Sequence, residues 1–272
     1  MYTTRSLVLI TALNAIGLVG VIAVNVLANA LPIGGRSTGE LSAALPNLFV
    51  PSGITFSIWG VIYLLLILFV GYTLIEAVRG RDAAQNVLPR IGPFFFLSCI
   101  ANVGWIFAWH YLRFSMSLVW MAVLLLSLVA IYVRLEIGLA TAGGSSRGSP
   151  HPEERLFVHL PFSVYLGWIS IATIANVTAV LVAYDWGGFG LPDQTWAALM
   201  IAVGTALALV FLIVRSDVFY TLVVIWALIG ILIRRTVESE MPAPAVISAA
   251  LIGLIVLIVG VALRPILARL RV

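Results

Sequence analysis

The sequence contains no lysine, a single cysteine and few charged residues of any kind. Charged residues make up 10% of its 272 residues, whereas hydrophobic residues make up 62%. A soluble globular domain carries about 25% charged residues and about half apolar ones. The composition therefore excludes a soluble domain, and the lone Cys99 excludes a disulfide framework.

Much of the chain consists instead of long apolar runs. Several of them are about 20 residues long, which matches the thickness of a bilayer. The predicted fold class is all-α, a polytopic transmembrane helical bundle of about eight spans, with seven as the main alternative. The predicted spans are Leu7–Leu31, Ile54–Ala77, Gly92–Leu112, Ser115–Ile137, Phe157–Tyr184, Thr195–Val214, Val218–Ile233 and Pro244–Leu263. The third and fourth spans are separated so narrowly that they must form a tight antiparallel hairpin.

The arginines are distributed unevenly between the two sides of this arrangement. Arg36, Arg113, Arg234 and Arg235 lie in alternate connections, and the other eleven of the fifteen lie on the side of the N-terminus. The positive-inside rule then predicts that both termini are cytoplasmic. We expect an integral protein of a bacterial cytoplasmic membrane. The net charge of +4 reflects this topology, so no nucleic-acid partner is expected.

The beginning of the chain resembles a signal peptide. Arg5 precedes an apolar run, and Ala28-Asn29-Ala30 has the form of a cleavage site. However, the run of some 21 apolar residues exceeds the about 7–15 of a signal peptide. We therefore expect it to remain as the first span.

Three connections organise the chain. Pro32–Ser52 is rich in small residues and should lie outside the membrane, and Arg79–Arg90 is a short basic loop. Ala142–Glu154 has the composition of a flexible linker and divides four spans from four. No convincing internal repeat accompanies this division.

Polar side chains recur at helical spacing inside four of the spans. Such residues are costly in hydrocarbon and mark faces that contact protein, water or a ligand. One explanation is hydrogen bonding between helices together with an interfacial aromatic belt. The other is a largely apolar ligand pocket with stacking rings and a few amides. The residues concerned are Asn14, Asn25, Asn29, Trp59, Tyr63, Asn102, Trp105, Trp109, Trp168, Ala172 and Asn176.

No Asp, Glu, Lys or Arg lies near the middle of any predicted span. This pattern disfavours ion-coupled transport, which normally needs a carboxylate at that depth. No cluster of residues suggests a metal site or a catalytic constellation, so no catalytic residue, metal or certain cofactor is predicted. His110 and His159 lie at helix ends, where interfacial anchoring is the preferred interpretation.

Three motifs resemble those of the TspO/MBR family, the translocator or tryptophan-rich sensory proteins. A proline precedes an aromatic residue and Trp-x-x-x-Tyr on the second span, Asn-x-x-Trp follows on the third, and Tyr-x-x-Trp-x-x-x-Ala-x-x-x-Asn on the fifth. The matching residues are Pro51, Phe56, Trp59, Tyr63, Asn102, Trp105, Tyr165, Trp168, Ala172 and Asn176. The resemblance covers roughly residues 1–184.

This resemblance implies a five-helix core that binds a flat, mostly apolar ligand beneath its first loop. A tetrapyrrole such as a porphyrin, a carotenoid or a sterol-like lipid would fit, with the protein acting as sensor, regulator or carrier. The cover would be Pro32–Pro51. The implied ligand-binding residues are Trp59, Tyr63, Asn102, Trp105, Trp168, Ala172 and Asn176, with Asn25 beside them.

Two features depart from the family pattern. The first loop lacks the family's tryptophans and lysine, and residues 185–272 add three spans to the five-helix core. These spans could act as a fused packing partner in place of dimerisation. An uncoupled permease for a small solute and a structural subunit of a larger membrane complex stay as alternatives, as does a homo-oligomer. The bilayer is the expected partner in each case.

Overall fold

The computed structural model describes residues 3–31, 33–45, 47–80, 82–139, 143, 149–238 and 243–269. Within these ranges all regular secondary structure is helical. The helices are α1 (Thr4–Ala30), α2 (Thr38–Ala44), α3 (Ile58–Val78), α4 (Asp82–Ile91), α5 (Phe94–His110), α6 (Phe114–Arg134), α7 (Pro152–Glu154), α8 (Leu160–Ala183), α9 (Asp193–Arg215), α10 (Val218–Ile233) and α11 (Pro244–Arg269). The predicted all-α bundle is confirmed.

Seven continuous helical segments of the described chain are long and apolar enough to cross a membrane. A bent pair, Ala84–Ile91 and Phe94–His110, whose axes differ by 48°, makes an eighth candidate when it is counted as one span. At one end of α5, the Arg134 guanidinium lies 5.3 Å from the centre of the Phe94 ring. At the other end, His110 contacts the first loop. Helix α5 therefore extends from the Arg134 contact at its start to the first loop at its end.

Helices α5 and α6 form the tight hairpin that the sequence predicts. Only Tyr111, Leu112 and Arg113 connect them, and Leu112 adopts a left-handed conformation with φ of 56°. A side chain at Gly104 would overlap the Trp120 ring, so glycine allows the two helices to pack closely.

The predicted basic loop at Arg79–Arg90 is wrong, because most of this segment forms α4. Its apolar residues Ala84, Val87, Leu88 and Ile91 are buried and recur at i, i+3, i+4 and i+7. This spacing gives a short helix one apolar face. Ala84 and Leu88 pack with Leu7 and Ala77, which ties α4 to the start of α1 and the end of α3. The predicted linker at 142–154 lies largely outside the described residues, apart from its last six residues, which include α7.

The C-terminal helices dock on the five-span core through α10, which packs against α8, while α9 and α11 pack against α10. At the end near the termini, the buried Asp217 connects three helices. Its Oδ2 accepts hydrogen bonds from the Tyr132 hydroxyl at 2.8 Å and the Ser163 hydroxyl at 2.7 Å. Its Oδ1 accepts the Tyr220 N–H at 3.0 Å and so caps α10.

At the opposite end, α10 holds the segment that leads from the first loop into α3. The Ser52 N–H donates to the Gly230 carbonyl at 2.9 Å, and the Trp226 indole donates to the Thr55 carbonyl at 3.0 Å. Beyond α10, Arg235 Nη2 donates to the Asn47 carbonyl at 3.0 Å. The C-terminal extension, which consists of helices α9, α10 and α11, therefore fixes the position of the first loop as well as that of α8.

Candidate ligand pocket beneath the first loop

Aromatic residues of α3 and α8 face each other in the half of the bundle nearest the first loop. The Trp59 and Trp168 rings meet edge to face, with centroids 6.2 Å apart and an interplanar angle of 84°. Trp59 also stacks on Tyr63 at 5.5 Å and contacts Tyr165 at 6.1 Å. Phe56 adds a further edge contact to Trp168 at 5.9 Å. The second-span and fifth-span motifs therefore converge.

Buried amides form a chain across α1, α5 and α8. Asn25 Nδ2 donates to Asn102 Oδ1 at 2.8 Å, and Asn102 Nδ2 donates to the Tyr165 hydroxyl at 3.2 Å. Both asparagines are buried. Their amide groups form hydrogen bonds with each other, so these two polar residues serve the association of helices, the first of the two explanations given for polar residues inside the spans.

A second network joins α5, α6 and α8. The Trp105 indole donates to Asn176 Oδ1 at 3.1 Å, and Asn176 Nδ2 donates to the Ser117 hydroxyl at 3.0 Å. The third-span and fifth-span motifs are thus linked directly. The sequence gives no sign of Ser117, because one serine among apolar residues has no periodic partner.

A cavity lies between these helices and the first loop. Five of the eight predicted site residues line it, namely Trp59, Trp105, Trp168, Ala172 and Asn176. Asn25, Tyr63 and Asn102 do not line it. Thr38, Ser42, Pro51, Phe56, Trp109, Ile171 and Ala175 complete the wall. Of these, Trp109 already stands out in the sequence, because it follows Trp105 by one helical turn.

Two indole groups of this wall have no hydrogen-bond partner within the described structure. The Nε1 atoms of Trp168 and Trp109 are both buried and unpaired. An unsatisfied buried donor costs about 1–3 kcal/mol. Trp105, in contrast, is paired with Asn176. The cavity wall therefore carries donor capacity that the protein itself does not use.

The first loop covers the cavity with the short helix α2. A capping box starts this helix: the Ser37 N–H donates to Glu40 Oε2 at 2.7 Å, and the Ser37 hydroxyl accepts the Glu40 N–H at 3.3 Å. The backbone hydrogen bond from Ser37, with help from its side chain, lowers the pKa of the Glu40 carboxyl. Residues Thr38 and Ser42 of α2 then line the cavity.

His110 fastens this cover to the end of α5. Its Nδ1 donates to the Ile33 carbonyl at 2.9 Å, which leaves Nε2 to accept the Thr38 hydroxyl at 3.0 Å. His110 is 4% exposed, so its predicted role as an interfacial anchor is wrong. The side chain is buried because α2 folds back over the helix end, a tertiary contact that hydropathy does not report. Among the described residues, no three His, Cys, Asp or Glu side chains are grouped as metal ligands would be.

The cavity is small while α2 is in place, with a volume of about 40 Å³. An engineered cavity that accommodates benzene measures roughly 150 Å³. A flat ligand larger than benzene therefore requires displacement of α2 or rotation of the lining rings.

The fold and this pocket define a class: polytopic helical membrane proteins with an aromatic pocket between the second, third and fifth spans, covered by the first loop. A family model described as "TSPO-like protein" matches residues 11–263. The chain belongs to this TSPO-like family. The match continues beyond residue 184 through most of the last three helices, so the resemblance is wider than the sequence motifs indicate. No curated protein and no solved structure matches the chain.

Proposed function

We propose that the protein binds a flat, mostly apolar ligand carrying hydrogen-bond acceptors, and that a tetrapyrrole is the best candidate. The observation that carries this proposal is the pair of unpaired indole donors, Trp109 and Trp168, in the wall of an aromatic cavity. Hydrocarbon carotenoids offer no acceptor and a sterol offers one hydroxyl group. A tetrapyrrole offers several ring and side-chain acceptors together with a flat face for stacking.

The lining also restricts which part of the ligand enters. None of the residues that line the cavity is charged. Because burying an unpaired carboxylate is costly, the inserted part must be uncharged, with any carboxylate left at the mouth. Carbonyl or ring-nitrogen acceptors would then face the indoles.

Ligand entry would be coupled to movement of the first loop. In the closed arrangement the cavity is too small for such a guest, and the Thr38–His110 hydrogen bond holds α2 over it. Binding would therefore move α2 and, through it, the loop that α10 anchors. This coupling favours a sensor or regulator whose surface changes when the ligand binds.

The experiment is a titration of the purified protein in lipid nanodiscs with protoporphyrin, followed by the shift of the porphyrin absorption band. Trp168→Phe and Trp109→Phe each keep an aromatic ring, although a smaller one, and remove the indole N–H donor. Each should weaken binding about 2- to 10-fold, as expected for one hydrogen bond worth about 0.5–1.5 kcal/mol.

Trp120→Phe is the matched control, because Trp120 packs against Gly104 and does not line the cavity. It should leave the affinity unchanged. The proposal fails if the band shift does not saturate, or if the control weakens binding as much as the two cavity variants.

A further inference from the structure

A second and larger cavity lies on the other side of the first loop, between the core and the C-terminal extension. Its volume is about 200 Å³, five times that of the aromatic pocket and above the roughly 150 Å³ of a cavity that accommodates benzene. Residues of α8, α9, their connection and the first loop line it: Asn47, Leu48, Val177, Thr178, Leu181, Val182, Trp186, Gly188, Asp193, Trp196, Ala197 and Met200.

This second cavity shares no lining residue with the aromatic pocket. On α8 it uses Val177, Leu181 and Val182, whereas the aromatic pocket uses residues up to Asn176. Asn47 forms part of the partition, since its Nδ2 donates to the Thr178 hydroxyl at 2.6 Å. The cavity therefore depends on α9 and cannot form in a core of five helices alone.

The α8–α9 connection provides an aromatic rim. The Trp186 and Trp196 rings lie 5.0 Å apart, and the Trp196 indole donates to the Gly188 carbonyl at 2.7 Å, which fixes the turn. Phe189 contacts Trp186 at 5.2 Å and is 84% exposed. Exposed aromatic residues at the end of a span are typical of the membrane–water interface. The rim therefore lies where an amphiphile places its head group.

The charge of the lining selects the head group. Asp193 is the one ionisable residue among the lining residues, and the buried Arg235 lies behind the wall, where its Nη2 donates to the Asn47 carbonyl. Asp193 precedes Trp196 by three residues on α9, a spacing that places both on the same face. A carboxylate beside indole rings favours an ammonium group, which gains ion pairing and cation–π contact. An anionic head group at the rim would instead face the Asp193 carboxylate.

We propose that this cavity binds a membrane amphiphile with an alkyl chain and an ammonium head group. The chain would lie against Leu181, Val182 and Met200, and the ammonium would lie at the rim beside Asp193 and the indoles. The site goes beyond the proposed tetrapyrrole pocket and does not depend on it. Because Asn47 and Leu48 belong to the loop that covers that pocket, an occupant would also support the loop.

The test is photo-crosslinking in lipid nanodiscs with three probes that share one diazirine-bearing alkyl chain. Their head groups are trimethylammonium, maltoside and sulfate. We expect the ammonium probe to label the peptides 177–182 and 196–200 most strongly and the sulfate probe to label them least. Asp193→Asn should lower the ammonium-to-maltoside labelling ratio about threefold, in the range of one exposed ion pair.

Two tryptophan substitutions on α9 distinguish labelling inside the cavity from labelling by ordinary lipid contact. Met200→Trp fills the cavity and should remove the label, whereas Leu199→Trp, on a side chain that is 43% exposed towards lipid, should keep it. Equal labelling by the ammonium and sulfate probes would overturn the proposal. So would an Asp193→Asn protein that labels as the parent does, or label confined to lipid-exposed positions. The exposed Asp193 keeps the test decisive even if Met200→Trp fails to fold.

Discussion

Asn25 of α1 donates a hydrogen bond of 2.8 Å to Asn102 of α5, and both side chains are buried in the bundle. The pair joins the first span to a helix that carries a family motif. Its geometry shows that part of the polar pattern in these spans serves helix association, while the tryptophans beside it line the pocket.

Removal of this pair should destabilise the bundle without abolishing the pocket. Asn102→Ala and Asn25→Ala should each lower the free energy of unfolding by about 1–2 kcal/mol, the range for hydrogen bonds between membrane helices. The double variant should cost less than the sum, because the two residues contact each other. Thermal unfolding of the detergent-solubilised protein measures both effects.

Asn29→Ala is the control for that cycle. Within the described part of the chain, Asn29 donates to the Asn25 carbonyl of its own helix, at 2.8 Å, and to no other helix. Its substitution should be nearly neutral. Strict additivity of Asn25→Ala and Asn102→Ala would contradict a direct interaction.

Thr38→Val should loosen the cover of the pocket. The substitution keeps the shape of the side chain and removes the hydroxyl group that donates a hydrogen bond to His110. Loss of one hydrogen bond worth about 0.5–1.5 kcal/mol should raise the open population about 2- to 10-fold. The readout is the rate at which a water-soluble maleimide labels Ala172→Cys in a Cys99→Ala background.

Thr73→Val provides the comparison for this measurement. Among the described residues, the Thr73 hydroxyl donates to carbonyls of its own helix α3 alone, at 3.0 and 3.1 Å. Its removal should not change the labelling rate. If Thr38→Val labels no faster than its parent, α2 is not held by His110.

Gly230→Ala should disturb the first loop from the side of the extension. A side chain at Gly230 would overlap Thr55, whose hydroxyl is buried without a partner. We expect a lower unfolding temperature and faster labelling at Ala172→Cys. Adding Thr55→Ala should restore much of the loss, because it removes two of the three overlapping atoms and breaks no hydrogen bond.

Gly71→Ala tests whether alanine in a span is harmful in itself. Nothing lies within 4 Å of a side chain built at Gly71. This variant should therefore be as stable as the parent. A Gly230→Ala protein with parental stability would show that α10 can shift freely away from the loop.

Asp217→Asn should weaken attachment of the extension. The Asp217 carboxylate accepts two hydroxyl donors and one backbone N–H, whereas an amide presents only one acceptor oxygen. We expect a loss of about 1–3 kcal/mol, the range for hydrogen bonds to charged groups. Asp185→Asn, at an exposed position in the α8–α9 connection, should be neutral. Limited proteolysis between α8 and α9 should accelerate only in the first variant.

Much of this fold can be predicted from the sequence, because a bilayer permits few kinds of spanning structure. A spanning segment must satisfy its backbone internally, so hydropathy alone locates the helices. The spans and the α5–α6 hairpin are predictable in this way, whereas the convergence of Trp59 with Trp168 is implied by the resemblance to the TspO/MBR family. Amphipathic α4 is missed because its charged residues conceal an apolar face of four residues.

What the sequence determined by itself is a helical membrane protein of about eight spans, with seven as the alternative, whose basic residues are all arginine and which carries the motifs of its family. Tertiary structure decided which polar groups pair and which do not: Asn102 bonds to Asn25, while the Trp109 and Trp168 indoles find no partner among the residues that the structure describes. It also decided that His110 holds a cover and that α9 and α10 flank the first loop. The reason is physical: hydropathy fixes where a helix lies along the chain, whereas its rotation and neighbours, which choose the partner of each side chain, emerge only when the helices pack together.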